Sequence, residues 1–387
     1  MSDVAPYDVV VIGAGPAGST AALHAARGGC HVCLLERKET AGSPVRCGEG
    51  IGIKGILRNV ELDRTWIRNR VKHIRMVSPG GTEVDIVSKD EGLILDREKM
   101  DRDLVCRARQ AGVEYRNRTA VLRVEEHDGN AYICTSENGN TYRGRCVVLA
   151  DGVESKLARD LGWKTNLALH DINTCAFLRV EDCDVARDTV VFYLGKEVAE
   201  GGYAWVFPRG NRSANVGLGI LGAASGPGRA RELLERFVER HFPQARTGDL
   251  HCGGVPVGPW LKPLVKGGAM VVGDAARQVN CISGGGLSFA LYAGRTAGTA
   301  AAKAFAGGRS ERERLKEYER AWVKRFGKQQ HRSYALKQTA ITYDDRFLDE
   351  IASSLKRKRG ALTNARVFMK AFSQRPMLMV KAFLLYR

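Results

Sequence analysis

The sequence predicts an α/β protein with a Rossmann-like dinucleotide-binding domain in separate pieces, a second domain rich in β-sheet, and a C-terminal helical region. Residues 8–18 run from a β-branched strand pattern through a glycine-rich turn into a helix pattern, and the next strand pattern ends at Glu36. A buried strand pattern at 270–276 precedes a glycine-rich helix pattern at 284–302. Alternating β patterns fill 170–260, so the nucleotide signals flank a β-rich insertion.

The glycine-rich turn has the spacing of a phosphate-binding turn. Gly13 permits the tight turn, Gly15 lets backbone N–H groups approach a pyrophosphate, and Gly18 lets the helix pack closely on the strand. Ala17 lies in the first helical turn, where free N–H groups and the positive end of the helix dipole favour phosphate. Glu36 follows the turn by roughly 20 residues, the sequence separation typical of an acid that accepts hydrogen bonds from a ribose. These residues together predict a nucleotide site.

The order of these patterns suggests domain boundaries. We assign 1–165 and 265–308 to the cofactor domain, with a small β excursion near 70–94. Residues 166–264 form the predicted substrate domain with an antiparallel sheet, and 309–387 form a helical, basic region.

Composition narrows the class of protein. The chain has 387 residues, of which 44% are hydrophobic and 27% charged, as in folded globular proteins. No apolar run approaches the roughly 20 residues of a membrane span, and the start lacks signal-peptide features, so we expect a cytoplasmic protein. The ten cysteines are spread along the chain, and the pair Cys30 and Cys33 falls at a predicted buried strand. We therefore predict neither a disulfide framework nor a metal site.

The formal net charge of +17 indicates an anionic partner. No nucleic-acid-binding motif is present, so we do not expect a nucleic-acid partner. Basic and apolar residues interleave over 366–387, as in a peripheral anchor on an anionic membrane surface. The alternative is a terminal helix packed on its own domain.

Three motifs in register, at 13–18, 150–155 and 273–276, resemble those of the para-hydroxybenzoate hydroxylase-like flavoproteins. The resemblance implies bound FAD and five further contact positions. These are Asp274 near the ribityl chain, Gly286 and Leu287 by the isoalloxazine ring, Arg97 near the phosphates and Val121 at the adenine. Taken alone, Asp274 fits a turn acid that closes a strand better than it fits a cofactor contact.

Two further segments, 43–50 and 202–208, resemble the geranylgeranyl reductase family, especially the archaeal-type enzymes that saturate prenyl chains of membrane ether lipids. The family pattern YxWxFP is matched at Tyr203, Trp205, Phe207 and Pro208. The resemblance implies FAD-dependent reduction of carbon–carbon double bonds in geranylgeranyl chains of lipids or diphosphates. The resemblance also implies that one loop lies close to the isoalloxazine ring. Its candidate contact residues are Arg46, Cys47, Gly48 and Gly50.

Strand geometry predicts that Tyr203, Trp205 and Phe207 share one face, with Pro208 ending the ladder. They are either an ordinary core or the aromatic wall of an apolar tunnel for a polyprenyl chain. As a wall they would stabilise positive charge that builds on an alkene carbon. Cys47 is either buried filler or a proton donor or flavin-gating residue, since neighbouring charges can tune a thiol.

No second GxGxxG unit is present, so the flavin needs an external reductant: NAD(P)H, a reduced deazaflavin or an electron carrier such as ferredoxin. Aromatic hydroxylation is an alternative activity, although Arg159 stands one place later than the arginine of many hydroxylases. Another alternative is a membrane-surface electron carrier or reductase that acts on quinones or on a menaquinone tail.

Overall fold

The computed structural model describes residues 7–127, 131–305 and 311–356. Its strands form two sheets. They are β1 (Tyr7–Ile12), β2 (Val32–Leu35), β3 (Gly50–Gly52), β4 (Ile67–Val77), β5 (Glu83–Leu95), β6 (Glu114–Arg116), β7 (Val121–His127), β8 (Ala131–Ser136), β9 (Thr141–Leu149), β10 (Ile172–Glu181), β11 (Thr189–Tyr193), β12 (Tyr203–Gly210), β13 (Ser213–Leu221), β14 (Arg246–Thr247), β15 (His251–Pro256), β16 (Val265–Lys266) and β17 (Ala269–Val271).

The α-helices of the described residues cover both sheets and the C-terminal region. They are α1 (Pro16–Arg27), α2 (Ile53–Leu57), α3 (Arg97–Gln110), α4 (Lys156–Asp160), α5 (Lys196–Ala199), α6 (Arg229–His241), α7 (Leu287–Phe305), α8 (Lys316–Trp322), α9 (Lys328–Ala340) and α10 (Asp345–Lys356). None of the described helices combines the length and hydropathy that a membrane span requires. The helices from Lys316 onward confirm the predicted helical character of the described C-terminal part.

The first sheet is the predicted Rossmann-like sheet. Its strand order is β16-β17-β9-β1-β2-β6, with the β7–β8 hairpin attached to β9. β1 runs parallel to β2 and to β9, and β17 runs parallel to β9. The central strands are buried: β2 is buried along its whole length, and Val9 to Val11 of β1 are 0% exposed, because parallel sheets are covered on both faces.

Two glycines let α7 pack directly on α1. A Cβ at Gly294 or Gly298 would lie 2.2 Å from the backbone oxygen of Ala17 or Ala21, respectively. Only glycine tolerates such a close backbone approach. The second piece of the cofactor domain is thereby fixed to the first, as the sequence predicted.

The second sheet has the order β14-β10-β13-β12-β11-β4-β5-β3, with β15 also paired to β10. Its outer face packs against α6, whose Leu234 and Phe237 join a core with Val216 and Leu218 of β13. Its inner face turns toward the loop between β2 and β3.

The structure differs from the sequence prediction at two places in this sheet. β4 and β5, predicted as a small excursion of the cofactor domain, join the second sheet because β4 pairs in parallel with β11. Pro208 does not end the ladder of β12, which continues to Gly210 through an irregularity after Pro208. The pairing of β4 with β11 was not predicted because strands more than 100 residues apart leave no local pattern in the sequence. The ladder of β12 continues past Pro208 because a bulge accommodates the missing N–H of proline.

Candidate active site

The glycine-rich turn between β1 and α1 leaves space for a phosphate group. Gly13 has φ +99°, and a Cβ there would lie 2.3 Å from the Ala150 oxygen. A Cβ at Gly18 would lie 1.8 Å from the Gly13 oxygen, whereas a Cβ at Gly15 would meet nothing within 4 Å. No side chain caps the start of α1, so its first N–H groups are available to a ligand. The turn therefore fits the pyrophosphate of a dinucleotide.

Glu36 supports this turn from the end of β2. Its buried carboxylate accepts hydrogen bonds from the N–H of Ala14 at 2.7 Å and of Lys38 at 2.9 Å. Ala17 is buried in α1 and packs closely on Gly273: a Cβ added to Gly273 would lie 2.9 Å from the Ala17 Cβ. In this structure both residues organise the turn, and the ribose contact of Glu36 stays a prediction.

The structure brings Asp274, Gly286 and Leu287 together after β17, and their contacts with the flavin stay predictions. A Cβ on Gly286 would lie 3.2 Å from Asp274 Oδ1, and Leu287 begins α7 directly afterwards. Burial raises the pKa of Asp274 to about 6, while the Arg97 guanidinium acts in the opposite direction. Arg97 itself pairs with Asp101 through two contacts of 3.0 Å. Val121 begins β7 and packs at the edge of the first core, and its contact with an adenine stays a prediction.

Cys47 lies in the loop that connects β2 and β3. Its Sγ accepts a hydrogen bond from the Glu49 N–H at 3.2 Å. Burial raises the pKa of the Cys47 thiol, although the nearby Arg97 guanidinium lowers it. The thiol is therefore protonated at neutral pH and has a proton to donate.

The loop lies directly on the aromatic side chains of β12. A Cβ on Gly48 would come within 3.2 Å of the Phe207 ring, and one on Gly50 within 3.0 Å. These two glycines therefore allow contact with the aromatic strand. Arg46 is exposed, and its side-chain stem lies 3.7 Å from the position of a Cβ on Gly253 in β15.

Tyr203, Trp205 and Phe207 share the inner face of the second sheet, as predicted. Successive ring centroids are 6.2 Å apart, and Phe192 of β11 lies edge-on to Tyr203 and to Phe207 at 5.2 and 5.6 Å. The Tyr203 hydroxyl donates to the Ser283 oxygen in the turn before α7. The aromatic strand is thus tied to the cofactor domain.

Strand register arranges the inner face in three rows across β10, β13 and β12, because opposed residues of antiparallel strands share a face. The rows are Cys175, Gly219 and Tyr203; then Phe177, Gly217 and Trp205; then Arg179, Asn215 and Phe207. A Cβ on Gly217 would lie 2.3 Å from the Trp205 ring, so the indole lies against the bare backbone of β13.

Sequence reasoning missed a buried polar cluster under the Cys47 loop. Glu49, 1% exposed, forms an ion pair with Arg209, whose side chain is 7% exposed. Asn215 accepts a hydrogen bond from Trp205 Nε1 at 2.9 Å and donates to the Cys47 oxygen at 3.3 Å and to Glu49 at 3.4 Å. One amide thus joins the aromatic strand to the thiol loop.

The described residues contain no group of three or more His, Cys, Asp or Glu side chains arranged to hold a metal ion. Cys30 and Cys33 are both buried and unbridged in the first sheet.

Two family models match the chain. The model of the geranylgeranyl reductase catalytic domain matches residues 171–255, which include the three rows of the inner face. A model described as lycopene cyclase protein matches residues 8–170, which include the glycine-rich turn.

Similar proteins cover nearly the whole chain. It is 40% identical over 361 residues to digeranylgeranylglycerophospholipid reductase 1 of Methanococcoides burtonii, covering 90% of this chain and 88% of that protein. It is 41% identical over 366 residues to a digeranylgeranylglycerophospholipid reductase of Methanosarcina acetivorans, covering 92% and 89%. The solved structure of a geranylgeranyl bacteriochlorophyll reductase-like protein of Thermoplasma acidophilum matches with a TM-score of 0.90 and 31% identity, covering 98% and 99%. A flavin-dependent brominase shares the fold, with a TM-score of 0.68 and 20% identity, covering 98% and 92%.

Proposed function

The chain belongs to the digeranylgeranylglycerophospholipid reductase family, and we propose that its substrate is a phosphate-bearing lipid whose geranylgeranyl chains it saturates. The enzyme is an FAD-dependent oxidoreductase that acts on carbon–carbon double bonds of isoprenoid chains. One observation supports the lipid substrate best. The aromatic face of β12 lies against the thiol loop, beside the dinucleotide cradle.

FAD, once reduced, supplies the hydride for the reaction. The cradle residues would hold it through the start of α1 at the pyrophosphate, Glu36 at the ribose and Asp274 at the ribityl chain. Arg97 is positioned to face both Cys47 and Asp274. In the described structure, the N–H groups of Ala14 and Lys38 hold Glu36 in place, and the ion pair with Asp101 holds Arg97.

The aromatic face supplies apolar surface for the isoprenoid chain. A polyprenyl chain has no polar group to anchor, so burial of apolar area provides its binding energy. The faces of Tyr203, Trp205 and Phe207 would also stabilise positive charge on the more substituted alkene carbon, by about 1–2 kcal/mol in a dry site.

The Cys47 thiol is the proposed proton donor. Saturation of one double bond adds a hydride to one carbon and a proton to the other. Transfer of the thiol proton leaves a thiolate, and the Arg97 guanidinium stabilises that negative charge. Solvent then restores the proton before the next turnover.

A cycle also requires electrons from outside the chain and access to a lipid. We propose that NAD(P)H, a reduced deazaflavin or ferredoxin reduces the bound flavin. We also propose peripheral association with anionic membranes through 366–387, a segment that lies outside the described residues. Deletion of that segment should weaken cosedimentation with anionic vesicles, most clearly at low salt. Equal binding to neutral and anionic vesicles would contradict an electrostatic anchor.

The decisive experiment is a product analysis. The holoenzyme, reduced with dithionite, is incubated with geranylgeranyl ether phospholipid, geranylgeranyl diphosphate and menaquinone, and the product masses are measured. A gain of 2 mass units per saturated double bond on a geranylgeranyl chain is expected. If menaquinone reoxidises the flavin and its tail stays intact, the protein is an electron carrier instead. If an aromatic substrate gains 16 mass units in an oxygen-dependent reaction, the protein is a hydroxylase.

A further inference from the structure

The inner face of the second sheet changes from apolar to charged along its strands. The rows of Tyr203 and Trp205 offer aromatic rings, a thiol and bare backbone, whereas the third row carries Arg179 and Asn215. Two residues of a strand span about 7 Å. The charged row therefore lies about 7 Å from the Trp205 row and about 13 Å from the Tyr203 row.

Positive charge exceeds negative charge at this row. The Glu49 carboxylate is shared by two guanidinium groups, because Arg209 contacts it directly and Arg179 Nη2 lies 3.9 Å from Glu49 Oε1. Within the parts of the chain that the structure describes, Glu49 is the acidic side chain at ion-pair distance from Arg179. One carboxylate neutralises one of two cations, so Arg179 retains the capacity to bind an anion.

The surroundings of Arg179 leave its guanidinium accessible. Its side chain is 44% exposed, in contrast to the buried Glu49 and Arg209. Gly248, beside its stem, carries no side chain, and a Cβ there would lie 3.7 Å from the Arg179 Cβ. An accessible cation at the end of an aromatic face matches an amphiphile that has an apolar chain and an anionic head.

We propose that Arg179 binds the phosphate of the substrate, while the isoprenoid chain extends from it along the aromatic face toward Tyr203. The planar guanidinium offers paired N–H donors that match two phosphate oxygens. Glu49, held by Arg209, lies 3.9 Å from Nη2 of the Arg179 guanidinium and so restricts where that group lies. This inference rests on the proposed function and identifies the residue that selects phosphorylated isoprenoids over neutral ones.

The test compares binding of phosphorylated and neutral chains to the FAD-loaded holoenzyme. Equilibrium dissociation constants are measured for geranylgeranyl monophosphate, geranylgeranyl glycerophosphate ether and geranylgeraniol in neutral detergent micelles. Arg179→Gln should weaken both phosphate ligands about tenfold or more and leave geranylgeraniol unchanged, since hydrogen bonds to charged groups are strong. A loss confined to one phosphate ligand would show which head group, prenyl phosphate or glycerolipid, the arginine contacts.

Arg179→Lys and Arg236→Gln are the matched variants. Lysine keeps the charge but not the paired geometry, so part of the affinity should return. Arg236 lies on α6, on the outer face, with a side chain 57% exposed, and its removal controls for the loss of one positive charge. Equal effects of Arg179→Gln on phosphate and alcohol, no effect at all, or the same effect from Arg236→Gln would overturn the inference. Intact discrimination by an enzyme that saturates no double bond would overturn the proposed function instead.

Discussion

Arg209→Met tests whether the buried ion pair holds the active site together. The substitution keeps an unbranched side chain of similar length but removes the cation that contacts Glu49. Glu49 is 1% exposed, so water cannot replace the lost partner. Breaking a buried pair from one side costs about 3–5 kcal/mol. For a chain of 387 residues, about 2.1 cal/mol/K of unfolding entropy per residue converts 4 kcal/mol to a fall in Tm of roughly 5 °C.

The assay is urea unfolding and thermal unfolding of purified holoenzyme, with two comparison variants. Arg236→Met removes an ion pair with Glu232 in which both side chains are 57% exposed, and it should cost less than about 1 kcal/mol. The double variant Glu49→Gln with Arg209→Met leaves no buried charge, so it should be more stable than the sum of the single losses predicts.

Two results would refute this reasoning. One is a loss below about 1 kcal/mol in Arg209→Met, which would mean that water or the neighbouring Arg179 guanidinium replaces the lost cation at Glu49. The other is strict additivity in the double variant, which would mean that the two side chains do not stabilise each other. In either case the polar cluster would not fix the position of the Cys47 loop.

Three further predictions address the cofactor cradle and the thiol. Because burial raises the pKa of Asp274 from 3.8 to about 6, the folded state binds this proton more tightly than the unfolded state, and stability falls as pH rises between these values. Asp274→Asn should therefore be the more stable form of the FAD-free protein above pH 6, by up to about 3 kcal/mol. The two proteins should be equally stable at about pH 3, below both pKa values. A stability difference that does not change with pH in urea unfolding would contradict this prediction. Cys47→Ala should keep FAD and lose most single-turnover flavin oxidation by prenyl substrate, whereas Cys106→Ala, at an exposed cysteine, should behave as wild type. Gly18→Ala should abolish FAD binding, since the new Cβ would lie 1.8 Å from the Gly13 oxygen. Gly52→Ala is the control, because Gly52 has φ −70° and a Cβ there would meet nothing within 4 Å. If Gly18→Ala bound FAD with unchanged affinity, the turn would be able to relax around the added methyl group.

The sequence predicted those parts of the site that depend on local geometry. The βαβ turn is specified within 30 residues, because strand, glycine spacing and helix follow one another directly. The common face of Tyr203, Trp205 and Phe207 follows from the two-residue period of a strand. The predicted flavin contacts of Asp274 and Gly286 came from the family resemblance, because a turn acid alone has no specific meaning.

The parts that the sequence did not predict depend on contacts between distant segments. Glu49 meets Arg209 and Asn215 only because the β2–β3 loop lies on the second sheet, about 160 residues away in the chain. A partial signal was present, since Gly210, Asn211 and Arg212 form the turn of a hairpin. Had that hairpin been predicted, its register would have set Asn215 opposite Phe207.

The backbone at Glu49 gives an independent reason to assign it a role in the site. Its φ of +67° lies in the left-handed region, which costs a residue with a side chain of order 1 kcal/mol or more. Glycine would relieve that strain, and the positions on either side, Gly48 and Gly50, are glycine. Burial of the carboxylate adds a desolvation cost, which Arg209, the Asn215 amide and the backbone N–H of Arg97 offset. A position that bears both costs contributes something that glycine cannot, and the contacts show what it is: a charge that joins the thiol loop to the second sheet.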